Sequence, residues 1–154
     1  SIMINKFKSS FDKISLEFKS VFKAIFQGGK GELKLTNPAD LLTSGIDIIA
    51  EPPGKKINST IALSGGEQAL TAICLLFAIL NVRPVPFIIL DEAEAALDEA
   101  NVDMFGKYIL NKKNDSQFIL ITHKKRMMEY ADILYGITMQ ESGVSKVVSV
   151  KVEN

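Results

Sequence analysis

Four apolar residues in a row, Phe87-Ile88-Ile89-Leu90, run directly into two acids, Asp91-Glu92. A continuous apolar run of this kind suits a parallel strand buried on both faces. Phe118-Ile119-Leu120-Ile121 repeats the pattern and ends in Thr122-His123. Between the two runs a helix is expected from about Glu99 to Leu110, with Val102, Phe105 and Ile109 on one side. Strand, helix, strand is the order of an α/β layered fold. Ligands of such sheets sit beyond the carboxyl ends of the strands. Asp91, Glu92 and His123 fall at ends of that type, which places three chemically capable side chains on one rim.

The rest of the chain supplies enough material for one domain with a real core: 154 residues, 47% of them hydrophobic. Phe7, Phe11, Ile14, Phe18, Val21 and Ile25 recur at alternating spacings of four and three, the pattern of an amphipathic helix. Either a core-facing helix or the root of a coiled coil has this spacing. Gly28, Gly29 and Gly31 end it. Glu32 to Thr36 alternates as a half-buried strand, Asn37-Pro38 turns the chain, and Ile46-Asp47-Ile48 reads as a second strand. After the loop signal Pro52-Pro53-Gly54 comes a nearly all-apolar helix, Gln68 to Leu80. Ile133 to Thr138 and Val147 to Val152 read as closing strands around a Glu141-Ser142-Gly143 turn.

Charge and cysteine usage narrow the setting. Lysine plus arginine and aspartate plus glutamate both number 18, so no net charge draws the chain to DNA or to a membrane. The longest apolar run, Ala69 to Val82, is interrupted by Thr71 and Asn81 and is short for a bilayer span. Asn5, Lys6, Lys8 and Ser9 break up any signal-peptide pattern at the start. The one cysteine, Cys74, excludes an internal disulfide and suits a reducing compartment; it lies in an apolar helix and is expected in the core. A soluble, cytoplasmic protein is expected.

The chemistry concentrates in a few short stretches. Four apolar residues followed by two acids form a Walker B arrangement: Asp91 at the strand end suits Mg²⁺, directly or through water, and Glu92 suits the general base that polarises an attacking water. A strand that merely ends in solvated acids has the same pattern. Leu63-Ser64-Gly65-Gly66-Glu67 is a capping box, in which Ser64 and Glu67 satisfy each other's backbone amides. That does not explain two glycines in a first turn, where they cost helix stability. Glycines there let another molecule approach the amides, and free amides at a helix N-terminus suit phosphate. Asp98 is a candidate N-cap before Glu99. His123 is the only histidine, just past a buried strand. Nowhere does a G-x-x-x-x-G-K-[ST] phosphate loop occur. Gly28-Gly29-Lys30-Gly31 has the wrong spacing and follows a helix, and Pro53-Gly54-Lys55-Lys56 also fails the spacing.

Ser64-Gly65-Gly66-Glu67, then Asp91-Glu92, then Ala96-Leu97-Asp98, then Thr122-His123 is the motif order of ABC-type ATPases. The surrounding text, including Pro52-Pro53-Gly54-Lys55-Lys56, Glu94-Ala95-Ala96-Leu97-Asp98-Glu99-Ala100-Asn101 and Tyr135 to Lys146, resembles the structural maintenance of chromosomes (SMC) family, its bacterial members most closely. The resemblance covers nearly the whole chain. It implies an α/β fold: the C-terminal lobe of an ABC-type, P-loop NTPase-like head, a mostly parallel sheet flanked by helices and lacking the Walker A loop. Residues 1–27 would form the helix at the root of the coiled coil and residues 28–154 the lobe.

Carried over residue by residue, the resemblance implies that Asp91 serves Mg²⁺, Glu92 activates water and His123 contacts the γ-phosphate of ATP held on the same head. Ser64, Gly65, Gly66 and Glu67 form the signature motif that meets the γ-phosphate on the opposite head, and Asp98 sits at the head-to-head interface. The implied partners are the N-terminal lobe of the same polypeptide, a second head in a homodimer, a kleisin subunit and DNA, with no membrane, in the cytoplasm at the nucleoid. Lys55 and Lys56 are candidates for DNA contact or for ordinary solvated lysines. Two departures stand out: Gln68 replaces the usual basic residue after Glu67, and Ala93 replaces valine. Two other readings share these motifs: a coiled-coil ABC-type DNA-repair ATPase, and a structural domain that merely retains an ATPase fold.

Overall fold

The aromatic spacing of the first helix carries straight into the core. In the computed structural model, which describes residues 2–54 and 63–152, α1 spans Ile2–Ile25. Its second half buries Phe18, Val21, Phe22 and Ile25, and Phe22 stacks on Phe26 with ring centroids 4.3 Å apart. Its first half leaves Ile2, Met3 and Phe7 exposed. The chain then reverses through left-handed backbone at Gln27 and Gly29, with φ of 56° and 73°. Gly31 lies so close to the helix that an added Cβ would sit 2.6 Å from Cβ and Cγ of Phe22. That contact, rather than turn geometry, requires glycine there.

β1 (Lys30–Leu35) pairs antiparallel with β2 (Ile46–Glu51), from Lys30 opposite Glu51 to Leu35 opposite Ile46. Thr36 closes the loop between them: its amide donates to the Gly45 carbonyl at 3.0 Å and its Oγ1 accepts from the Gly45 amide at 2.8 Å. α2 (Gly65–Val82) follows. It is 18 residues long and apolar enough to cross a membrane by length and composition alone, longer than the Ala69 to Val82 run suggested. Its packing gives a simpler account, since Leu70, Thr71, Ile73, Cys74, Phe77 and Ala78 are buried in a core shared with α1 and α3. Burial pushes the Cys74 thiol up to about 12.

β3 (Phe87–Asp91), α3 (Glu99–Lys112) and β4 (Gln117–Ile121) form the expected unit, and β3 and β4 pair in parallel with Asp91 opposite Ile121. After α4 (Lys125–Met128), β5 (Ile133–Glu141) and β6 (Val144–Lys151) form an antiparallel hairpin turned at Gly143, whose φ is 84°.

Two expectations need correction. The sheet is not mostly parallel: among the described residues there are three two-stranded sheets, and only β3–β4 is parallel. Its strands are joined by a helical crossover, as parallel pairing needs, whereas β1–β2 and β5–β6 are joined by direct reversals that enforce antiparallel pairing. Nor are the central strands buried on both faces. Ile88, Leu90, Phe118 and Leu120 face the core, while Phe87, Ile89, Ile119 and Ile121 are exposed, Ile89 by 57%. Helices cover one face of this pair and nothing among the described residues covers the other.

Phe22 joins the helix, the glycine reversal and β1. Phe22→Ala should cost about 3–5 kcal/mol, the usual range for emptying a fully buried aromatic site, whereas Phe7→Ala, at a partly exposed position, should cost less than about 1 kcal/mol. Urea unfolding checks both, and equal losses at the two positions would refute this view of the core.

Candidate functional site

The carboxyl ends of β3 and β4 hold the first cluster. Asp91 is the last residue of β3 and lies on its exposed face, in step with Phe87 and Ile89. The amide of Glu92 still donates to the Ile121 carbonyl at 2.9 Å, so the ladder continues one residue past the strand. Glu92 then takes a left-handed backbone, φ 47°, sparsely populated for a residue with a Cβ. From that bend its carboxylate reaches across to the end of β4. His123 Nδ1 lies 3.2 Å from Glu92 Oε1, and both side chains are more than half exposed. The three rim residues expected from sequence are thus brought together, and two of them touch.

The second cluster is the N-terminus of α2. Ser64 sits in extended backbone as the N-cap. Its Oγ accepts from the Glu67 amide at 3.2 Å, and its own amide donates to Glu67 Oε2 at 2.8 Å, the capping box in both directions. Ser64 and Gly65 are exposed and Gly66 is half-buried. The amides of Gly65 and Gly66 belong to the first turn, which helix geometry leaves without intrahelical partners. The two glycines differ in purpose. A Cβ on Gly65 would meet nothing within 4 Å among the described residues, so its smallness serves no contact with them. A Cβ on Gly66 would sit 2.8 Å from Asn101 Nδ2 and 3.4 Å from Asp98 Oδ2. Gln68, the departure from the family pattern, turns its amide back to donate to the Leu63 carbonyl at 3.1 Å.

Asp98 caps α3 as expected: Oδ1 accepts from the Asn101 amide at 2.9 Å and Oδ2 from Asn101 Nδ2 at 3.1 Å. Its carboxylate also flanks the α2 N-terminus, so the Ser64 turn and the α3 cap form one surface. The tight turn from Glu92 to Leu97, with Ala95 donating to the Glu92 carbonyl at 2.9 Å and Leu97 to the Glu94 carbonyl at 3.0 Å, joins the two clusters.

Sequence reasoning gave no role of their own to three residues here, Glu94, Thr122 and Lys124. Glu94 is only 3% exposed, yet it carries a carboxylate, which accepts a hydrogen bond from the Thr122 hydroxyl. Lys124 Nζ donates to the carbonyls of Glu94, Ala95 and Leu97 at 2.8, 3.2 and 2.6 Å. Their one signal was adjacency, since Thr122 and Lys124 flank His123.

The rim has the chemistry for magnesium nucleotide without being a self-sufficient metal site. Among the described residues no group of three His, Cys, Asp or Glu side chains converges to hold a metal. Mg²⁺ takes one or two carboxylates together with phosphate oxygens and waters, so one exposed strand-end acid beside a second fits. A hollow lined by Glu17, Asn81, Val85, Ser116 and Phe118 lies toward the amino ends of β3 and β4, away from these acids.

Comparisons with known proteins bear on the family rather than on the individual side chains. The family model described as RecF/RecN/SMC N terminal domain matches residues 39–146, well over half the chain. The chain belongs to the SMC family. The chromosome partition protein Smc of Bacillus subtilis is 61% identical over 151 residues, covering 98% of this chain, and that of Mycobacterium tuberculosis is 49% identical over 147 residues, covering 96%. The chain spans only 13% and 12% of those relatives' lengths. Solved SMC heads share the fold. A chain from work on ATP-driven dimerization and DNA stimulated activation of SMC ATPases superimposes with a TM-score of 0.86 at 41% identity, covering 96% of this chain and 89% of that one. An Smc head bound to the C-winged helix domain of ScpA superimposes with a TM-score of 0.83 at 42% identity, covering 96% of this chain and 46% of that one.

The contrast between the two SMC glycines is testable within this lobe. Gly65→Ala should leave the thermal midpoint unchanged or raise it, because the methyl meets open space and alanine favours helix. Gly66→Ala should lower it by displacing Asn101 from Asp98, a loss of about 1 kcal/mol. Scanning calorimetry checks the pair, and a destabilised Gly65→Ala would mean that the turn is packed rather than open.

Proposed function

We propose that this chain is the C-terminal lobe of an SMC ATPase head, which supplies the water-activating and signature residues to ATP sites completed by other segments. The observation that carries this reading is Glu92 and His123 in contact beside Asp91 at the strand ends, in a chain whose sequence has no phosphate-binding loop. The bare apolar face of β3–β4 supports it, since a sheet with one covered face calls for a second layer. So does the solved SMC chain of which this one covers 89%, a polypeptide of nearly the same extent.

In this reading the Glu92 carboxylate accepts a proton from the attacking water, and His123 holds that carboxylate on one side and meets the γ-phosphate on the other. Asp91 would hold Mg²⁺, which when bound neutralises phosphate charge. On the other surface of the lobe, Ser64 uses its oxygen to cap Glu67 but keeps its hydroxyl proton to donate. With the Gly65 and Gly66 amides it would meet the γ-phosphate held by a second head, with Asp98 at the same interface. Glu67 acts by fixing the Ser64 turn. Nucleotide then holds two heads together, and loss of the γ-phosphate removes the contacts, which couples hydrolysis to opening. The exposed start of α1 would continue into the coiled coil. A kleisin winged-helix domain would bind this lobe, as ScpA binds the related Smc head, and DNA would lie across engaged heads in a cytoplasmic, nucleoid-associated complex. Lys55 and Lys56, the candidate DNA contacts, lie outside the described residues.

Alone, the chain should show no ATP turnover, and adding the N-terminal lobe should restore Mg²⁺-dependent hydrolysis. Continued absence of turnover, with ATP binding and head pairing verified, would favour a structural domain instead. In the completed head, Glu92→Gln should keep ATP binding, lower turnover about 100-fold or more and accumulate paired heads on size-exclusion chromatography. Turnover at the original rate in that variant would remove Glu92 from the role of base.

A further inference from the structure

We propose that Lys124 is a positioning residue that fixes the Glu92–His123 pair and ties it to the segment leading into Asp98. The inference rests on the ATPase reading above for its catalytic consequence, but its geometry stands on its own. An ammonium has three N–H donors, and Lys124 directs hydrogen bonds at three main-chain carbonyls, those of Glu94, Ala95 and Leu97. No donor is left over for a nucleotide phosphate, so this lysine acts through the turn it holds rather than on substrate. The turn is the one that starts at the bent Glu92 and ends one residue before Asp98.

The residue on the other side of His123 grips the same turn. The Thr122 hydroxyl donates to the buried Glu94 carboxylate, and the Lys124 amide donates to Thr122 Oγ1 at 3.0 Å. Both neighbours of the histidine are therefore fastened to the five residues that follow the glutamate, Thr122 to Glu94 and Lys124 to Glu94, Ala95 and Leu97. The 3.2 Å approach of His123 to Glu92 is held by these flanking pins, since the two functional side chains are themselves largely exposed. Backbone in a sparsely populated region persists only where its surroundings over-determine it, and the pins do that for Glu92. A shift of His123 on meeting or losing a phosphate would pass through Lys124 to the Leu97 carbonyl and so to Asp98.

His123, as the only histidine, gives a single imidazole reporter. Lys124→Met keeps the aliphatic stem and removes the donors; Lys125→Met, at the next and exposed position, is the control. In this chain, NMR should show the His123 ring resonance displaced by Lys124→Met and by Thr122→Val but not by Lys125→Met. In the completed head, Lys124→Met should lower kcat about tenfold while KM for ATP stays within about twofold, and Lys124→Arg should recover part of that loss. An unmoved His123 resonance would overturn the proposal, as would kcat, KM and thermal midpoint all falling together, the mark of a merely structural tie. Absence of turnover in the unsubstituted head would count against the ATPase reading instead, with the resonance still deciding whether Lys124 sets the geometry.

Discussion

Phe77 holds the middle of this fold. Its ring lies 6.1 Å from that of Phe105, 4.9 Å from Tyr108 in an edge-on approach and 6.0 Å from Phe118. One side chain of α2 thereby reaches α3 twice and β4 once. Aromatic rings in tilted and edge-to-face arrangements gain more than their buried area alone provides, and they resist sliding because their shapes interlock. The consequence reaches the site. α2 presents Ser64 at its start, α3 presents Asp98 at its start, and β4 presents His123 at its end. All three lean on the same ring, so their relative placement is a property of the core rather than of the loops that carry them.

The β3–β4 pair is strongly one-sided. Ile88, Leu90, Phe118 and Leu120 turn one of its faces into the core, where Phe118 meets Phe77 of α2, while Phe87, Ile89, Ile119 and Ile121 line the other in the open. The β5–β6 hairpin is exposed along both strands, with Tyr135, Ile137, Met139 and Val147 among its open apolar residues. Scattered exposed apolar residues are ordinary on a folded protein, but a contiguous sheet face of them marks an interaction surface. Asp91 belongs to this open face by strand alternation, so whatever covers the sheet also closes over the acid at its edge.

Much of this was legible in the sequence, and the exceptions are instructive. The two apolar runs, the helix between them and the rim of Asp91, Glu92 and His123 follow from local pattern and from the rule for strand ends. So does the capping box, since Ser64 and Glu67 lie only three residues apart. The burial of the strands did not follow: Phe87-Ile88-Ile89-Leu90 reads as doubly buried because all four residues are apolar, and a run of apolar residues cannot say which of them find cover. The parallel character of the sheet was overdrawn for a related reason, because hairpins and crossovers differ in their connections more than in their strands. Lys124 and Glu94 were missed because their partners are main-chain carbonyls and a hydroxyl about 30 positions away, and charge at a single position carries no trace of such a partner.

Gly66 has a wider meaning than its size suggests. Because it admits the Asp98 and Asn101 side chains against the first turn of α2, the beginnings of two helices are fused into one stiff ridge. Neither helix start can then tilt or slide without carrying the other along, so the two termini behave as one mechanical part although more than 30 residues of chain separate them.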